Sequence, residues 1–147
     1  SSTCFAPNAT CTRAQIVTFL WNAAGKPEPS SLTVPFTDVS ADAYYYKALC
    51  WAVERKITNG TSGTTFSPNG IATRAQAVTM MWRAAGSPEV AADQTFTDVP
   101  ANAYYAAAVR WAAANKITTG TGNNCFSPAA PCIRAQIVTL LYNQLHA

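Results

Sequence analysis

Charge is scarce in this chain. Only 12% of its 147 residues are Asp, Glu, Lys or Arg, about half of the ~25% usual in soluble proteins. Ten basic and seven acidic side chains leave a net charge of +3. The bases are scattered, with no cluster that would neutralise a phosphate backbone, so nucleic acid is not an expected partner. There is one histidine, His146, and no Cys-x-x-Cys pair, which leaves little for a metal to bind. Long apolar runs are missing too. The longest, Ile16 to Trp21, is interrupted by Thr18 and falls far short of the ~20 residues of a membrane helix, so no membrane insertion is expected. No Ser/His/Asp or Cys/His set can be assembled, and no Gly-rich phosphate loop is present, so neither catalysis nor a cofactor is expected. The lack of an initiating Met and of a signal-peptide pattern fits a mature product or an excised segment.

What the chain does have is a repeat. Residues 36–85 align without a gap on residues 96–145, each position matching the one sixty further on. Residues 4–25, CFAPNATCTRAQIVTFLWNAAG, match the back half of the other two copies. The expected organisation is therefore the second half of a first repeat at 4–25, a second repeat at 36–86 and a third at 96–145. The Pro- and Ser-rich stretches 26–35 and 87–95 serve as linkers.

Each full repeat reads as helix, loop, helix. The front helix is expected over about Ala43 to Arg55, with Tyr45, Ala48, Leu49 and Ala52 on one face; Tyr105, Ala108, Val109 and Ala112 repeat that spacing. A Gly-containing loop and a Phe-x-Pro turn follow. The back helix begins near Thr12, Thr73 or Ile133, and Gly25 and Gly86, each with a proline two residues on, mark its end. A lone helical hairpin would leave its apolar face wet, so the copies must pack on one another. The fold class is all-α, a pseudo-threefold bundle of helix-loop-helix repeats. Because the first repeat lacks its front helix, the apolar face of its back helix (Ile16, Val17, Phe19 and Leu20) is expected to be exposed and to favour self-association.

Cysteines flank the Phe-x-Pro turn in two copies, Cys4 with Cys11 and Cys125 with Cys132, while the middle copy has Thr65 and Ala72 there. Both members are present or both absent, the pattern expected of two bonded pairs. Each bridge would close an eight-residue loop for about 2.5 kcal/mol, and such staples imply an oxidising, extracellular setting. Cys50 is left as a buried or partly buried free thiol.

Asp38 and Asp98 are the two acids that recur, in Phe-Thr-Asp-Val ahead of the front helix. There they either bond turn amides or belong to a ligand site. Each back helix opens on Arg, namely Arg13, Arg74 and Arg134, followed two residues later by Gln. Thr12 with Gln15, and Thr73 with Gln76, have the spacing of a capping box, which explains Thr and Gln as structure. Arg is not explained that way. A cation in the first helical turn opposes the helix dipole by ~0.3–1 kcal/mol, yet all three copies keep one. Beside unpaired amides, a guanidinium makes a receptor for a carboxylate or phosphate. The competing account is an internal salt bridge to Asp38 or Asp98. Tyr44 and Trp51, and again Tyr104 and Trp111, lie seven apart. They read either as core packing or as an aromatic rim for a sugar ring.

Phe-x-Asp-Val, aromatics opening a helix, Trp-Ala, Ile-Thr-x-Gly, Phe-x-Pro and Thr-Arg-Ala-Gln, in that order, resemble the S-layer homology family. The resemblance covers nearly the whole chain outside the linkers. It implies a three-pronged pseudo-trimer at the bacterial cell surface that holds secondary cell-wall polysaccharide without catalysis, often through a pyruvate ketal on an amino sugar. It carries the family's arginine onto Arg13, Arg74 and Arg134, and places Gly60 and Gly120 in grooves between repeats. Tyr44-Tyr45 and Tyr104-Tyr105 stand where many members have Trp, and Lys56 and Lys116 where Gly is frequent. The alternative is a structural subunit whose incomplete repeats assemble with other copies of the chain into a surface layer or filament.

Overall fold

A computed structural model describes residues 9–91 and 96–145. Five helices appear in the expected order: α1 (Arg13–Ala23), α2 (Tyr46–Glu54), α3 (Arg74–Ala84), α4 (Ala106–Ala114) and α5 (Arg134–Leu145). No described helix is long and apolar enough to cross a membrane. The capping boxes form as the sequence reads. Thr12 and Thr73 accept from the Gln15 and Gln76 amides, and the glutamine side chains accept from the cap amides in return. In the third copy Ile133 replaces the threonine, so only half of the box survives, Ile133 N donating to Gln136 Oε1 at 2.9 Å. The front helices start about three residues later than expected. Tyr45 and Tyr105 precede them with no side-chain cap, so Tyr44 and Tyr104 stand outside the helices. Lys56 and Lys116 adopt φ of 59° and 58°, the left-handed conformation that glycine takes without strain. The backbone turn is thus kept although its usual residue is not.

Pairing crosses the repeats. α2, the front helix of the second repeat, packs on α1, the back helix of the first; α4 packs on α3 in the same way. This overturns the expectation that α1 would be bare. Ile16, Val17 and Leu20 are buried, and Phe19 is partly so. Among the described residues the more open helix is instead α5, although its Ile137 and Leu140 are buried in the core. Val17 and Val78 are fully buried, whereas their counterpart Val138 is 45% exposed, and Tyr142 is 60% exposed.

The three back helices meet at their N-termini in a closed ring of backbone bonds. Cys11 N donates to Cys132 O, Cys132 N to Ala72 O, and Ala72 N to Cys11 O, each at 2.8 Å. A second ring of amides lies beside it: Arg13 N to Gly70 O, Arg74 N to Ala130 O, and Arg134 N to Ala9 O. This cyclic pairing gives the pseudo-threefold arrangement its centre.

The cysteines depart from expectation. Cys11, Cys50, Cys125 and Cys132 are all free thiols; Cys4 lies outside the described residues. The reason is positional. Cys125 sits in the outer turn bridged to Gly122, its sulfur facing Asn123 and Thr97, while Cys132 is buried in the axial ring. Closeness in sequence therefore does not bring Cys125 and Cys132 together. Burial, with Cys11 beside it, pushes the Cys132 thiol up to about 12, which leaves no nucleophile at neutral pH. The compartment can no longer be argued from staples.

Candidate functional site

Asp38 and Asp98 shape the ground on which the site stands. Asp38 accepts from the Phe66 amide through Oδ1 at 2.9 Å and from the Ser67 amide through Oδ2 at 2.8 Å. Asp98 holds Phe126 and Ser127 in the same way, both at 2.8 Å. The Phe66 amide, with smaller help from Ser67 and Arg13, lowers the Asp38 carboxyl below the usual range. At Asp98 burial pushes upward, but the Phe126 and Ser127 amides prevail and the carboxyl is again lowered. Each aspartate thereby fixes one Phe-Ser-Pro turn.

The turn in turn receives an arginine from the preceding repeat. Arg13 Nε donates to Phe66 O, and Arg74 Nε to Phe126 O, both at 2.8 Å. Their guanidinium carbons lie 5.0 and 4.7 Å from the Phe66 and Phe126 ring centroids, within cation–π range. Both arginines are only 5% exposed. Burial lowers both pKa values, and no carboxylate pairs with either; among the described residues the ion pair is Lys47 with Glu28. The direct Arg13–Asp38 salt bridge is therefore not made. The Nε bond uses one of the five donors of a guanidinium, and both groups line cavities.

Those cavities are grooves between repeats. The first, of about 340 Å³, is lined by Arg13 of the first repeat, Thr58 to Thr61 and the α3 residues Gln76, Thr79, Met80 and Arg83 of the second, and Tyr104 of the third. The second, of about 420 Å³, has Arg74 with Ile117 to Thr121 and the α5 residues Ala135, Gln136, Thr139, Leu140 and Asn143. No acidic side chain is among these linings. Gly60 and Gly120 lie in both loops with φ of 87° and 89°. A Cβ at either would overlap a backbone carbonyl and the ring of Phe36 or Phe96, so glycine is required there by the fold as well as present in the groove.

The structure divides the remaining candidates. Tyr104 is 61% exposed and stands at the rim of the first groove. Tyr44 is equally open but lines neither groove. Trp51 and Trp111 are buried in the core; the seven-residue spacing links them to no exposed tyrosine because the helix begins after Tyr44. Arg134 lines neither groove, and its buried Nε has no partner among the described residues. The stretch 4–25 matches only the back half of a repeat, without a counterpart of Asp38 or of the 58–61 loop, and among the described residues no such loop stands beside Arg134. Sequence reasoning missed Gln76, Thr79 and Arg83, a polar stripe at i, i+3 and i+7 that α5 repeats as Gln136, Thr139 and Asn143. Helical spacing on the polar side of an apolar helix was the signal.

The S-layer homology domain pattern matches residues 35–78 and 95–138, more than half of the chain. The chain belongs to the S-layer homology domain family. It is 31% identical over 118 residues to an endoglucanase of Bacillus sp. (strain KSM-635), a match covering 80% of this chain and 12% of that protein. It is 31% identical over 118 residues to a cell surface protein of Thermoanaerobacter kivui, covering 77% and 16%. With the surface-layer 125 kDa protein of Lysinibacillus sphaericus it shares 39% identity over 77 residues, 52% of this chain and 6% of that protein. The chain thus spans less than a fifth of the relatives it matches, and what is shared with the endoglucanase is the S-layer homology region. S-layer homology domains are anchoring modules that bind cell-wall components, and the location is the bacterial cell surface.

Proposed function

We propose that this S-layer homology module anchors its parent protein by binding secondary cell-wall polysaccharide in the two grooves, with Arg13 and Arg74 receiving an anionic substituent such as a pyruvate ketal carboxylate. The observation that carries this reading is a buried guanidinium at each groove wall that makes no salt bridge, with Asp38 and Asp98 acting on it only from farther off. Burying such a charge is costly unless an anion completes it. Thr58, Gly60, Gln76 and Tyr104 add neutral hydrogen-bonding groups and an aromatic face, the mixture that suits a sugar ring. Co-sedimentation with purified walls tests it. Binding should be strong on intact walls and lost once the secondary polymer is stripped; equal binding to stripped walls would refute a polysaccharide ligand.

A second reading, self-assembly, draws on one observation, the open face of α5 around Val138 and Tyr142. α1 and α3 each bury this face under a front helix, whereas among the described residues no helix packs comparably on α5. A concentration-dependent rise in mass that Val138→Asp abolishes would support assembly through α5. A constant monomer mass would remove it.

A further inference from the structure

Arg83 sits in the last turn of α3 and lines the first groove together with the loop 58–61. Its Nη1 donates to the Ile57 carbonyl at 3.3 Å. The counterpart in the second groove is Asn143, whose Nδ2 donates to the Ile117 carbonyl at 3.1 Å. A neutral side chain therefore performs the structural task in one copy, and the charge in the other is surplus to it. A cation in the last turn does gain from the helix dipole, but so would one at position 143, where none stands. Tyr104 feels both guanidinium groups: burial raises its pKa, while Arg13 and Arg83 pull it down. The first groove thus gathers two cations about one exposed phenol, with no acid in its lining. The second has Arg74 alone.

We infer that the first groove takes a glycan unit carrying two negative charges, one at Arg13 and one at Arg83, whereas the second takes a unit carrying one. The inference rests on the anion-binding reading of the grooves given above. Arg83 is the residue that sets this preference.

The test uses the whole chain and small anions as probes. Gly60 and Gly120 each supply one backbone amide, one per groove, so their NMR shifts report the two sites separately. Acetate carries one charge and succinate two. Succinate should be preferred over acetate at Gly60 by about tenfold, the lower end of what one charge-assisted hydrogen bond supports, and by little at Gly120. Arg83→Asn should erase the preference at Gly60 without altering the fold, since Asn143 already fills that role in the other copy. Asn143→Arg should create it at Gly120. An equal preference in both grooves, or one that survives Arg83→Asn, overturns the role of Arg83 and leaves wall anchoring standing. If neither amide moves with either anion, the anion-binding reading itself fails, and this inference with it.

Discussion

The groove of Arg13 and the groove of Arg74 are copies of one pattern, yet they are not equal. Both have the buried arginine, the fixed Phe-Ser-Pro turn and the positive-φ glycine. The first also draws Tyr104 from a third repeat and has Arg83 where the second has Asn143. A groove in this architecture is assembled from three successive repeats, arginine from one, loop and helix from the next, tyrosine from the one after. Among the described residues only the groove of Arg13 has all three contributions. The lesson is that internal symmetry multiplies a scaffold more readily than it multiplies a site.

Variants at equivalent positions can break or sharpen this contrast. The largest effect is expected from Gly60→Ala and Gly120→Ala. Each adds backbone strain and an overlap with packed atoms, together about 3–5 kcal/mol. Urea denaturation should show similar losses in both, because the loop geometry is shared; a harmless substitution at either site would mean that the loops differ.

Next come Arg13→Ala and Arg74→Ala. Each strands a carbonyl that now accepts from a charged donor, for about 1–3 kcal/mol of stability, so the melting temperatures should fall alike. Wall binding should not respond alike. Arg13→Ala is expected to weaken it about 10- to 150-fold, the value of one charge-assisted contact, and Arg74→Ala by less. Early melting with undiminished binding in both variants would make the arginines purely structural.

Tyr104→Ala should lower wall affinity several-fold and leave stability within about 0.5 kcal/mol, as for an exposed surface residue. The same change at Tyr44 should do neither. If Tyr44→Ala matters equally, a third site operates.

The smallest effect is one of pH. Asp38 and Asp98 have lowered carboxyl pKa values in the fold, so their contribution is fully present above the unfolded value of ~3.9 and is lost as pH falls through the folded values. Melting temperature should drop as pH falls below about 4, the unfolded carboxyl value, and on through the lower folded values, and Asp38→Asn should flatten part of that drop. An unchanged slope in the variant would show that the carboxylate's charge contributes little to the turn.

Much of this was legible in the sequence because the repeat registers itself. The five helices follow from apolar spacing, and the capping boxes at Thr12 and Thr73 from Thr and Gln three apart. Arg13 and Arg74 stood out because capping left them unexplained. What spacing could not supply was the pairing across repeats, since the apolar face of α1 looks the same whether α2 covers it or not. For that reason the more open apolar face proved to be that of α5, around Val138, and not that of α1. The cysteines misled for a related reason: eight residues of chain around a rigid turn carry Cys125 outward and Cys132 to the axis, and neither direction is written in their separation. Trp51 and Trp111 were counted toward the site by spacing from tyrosines that lie before the helix starts.

The axial ring has a mechanical consequence. Cys11 at the front of the chain and Cys132 near its back are joined directly, each also tied to Ala72. Tension entering through the first segment therefore passes to the last across 2.8 Å bonds, and need not travel through the helices between them. A tether on a wall is pulled whenever the cell is sheared. The amides of Arg13 and Arg74 are bonded beside that ring, to Gly70 and Ala130, so a pull on either groove would be shared with the centre at once.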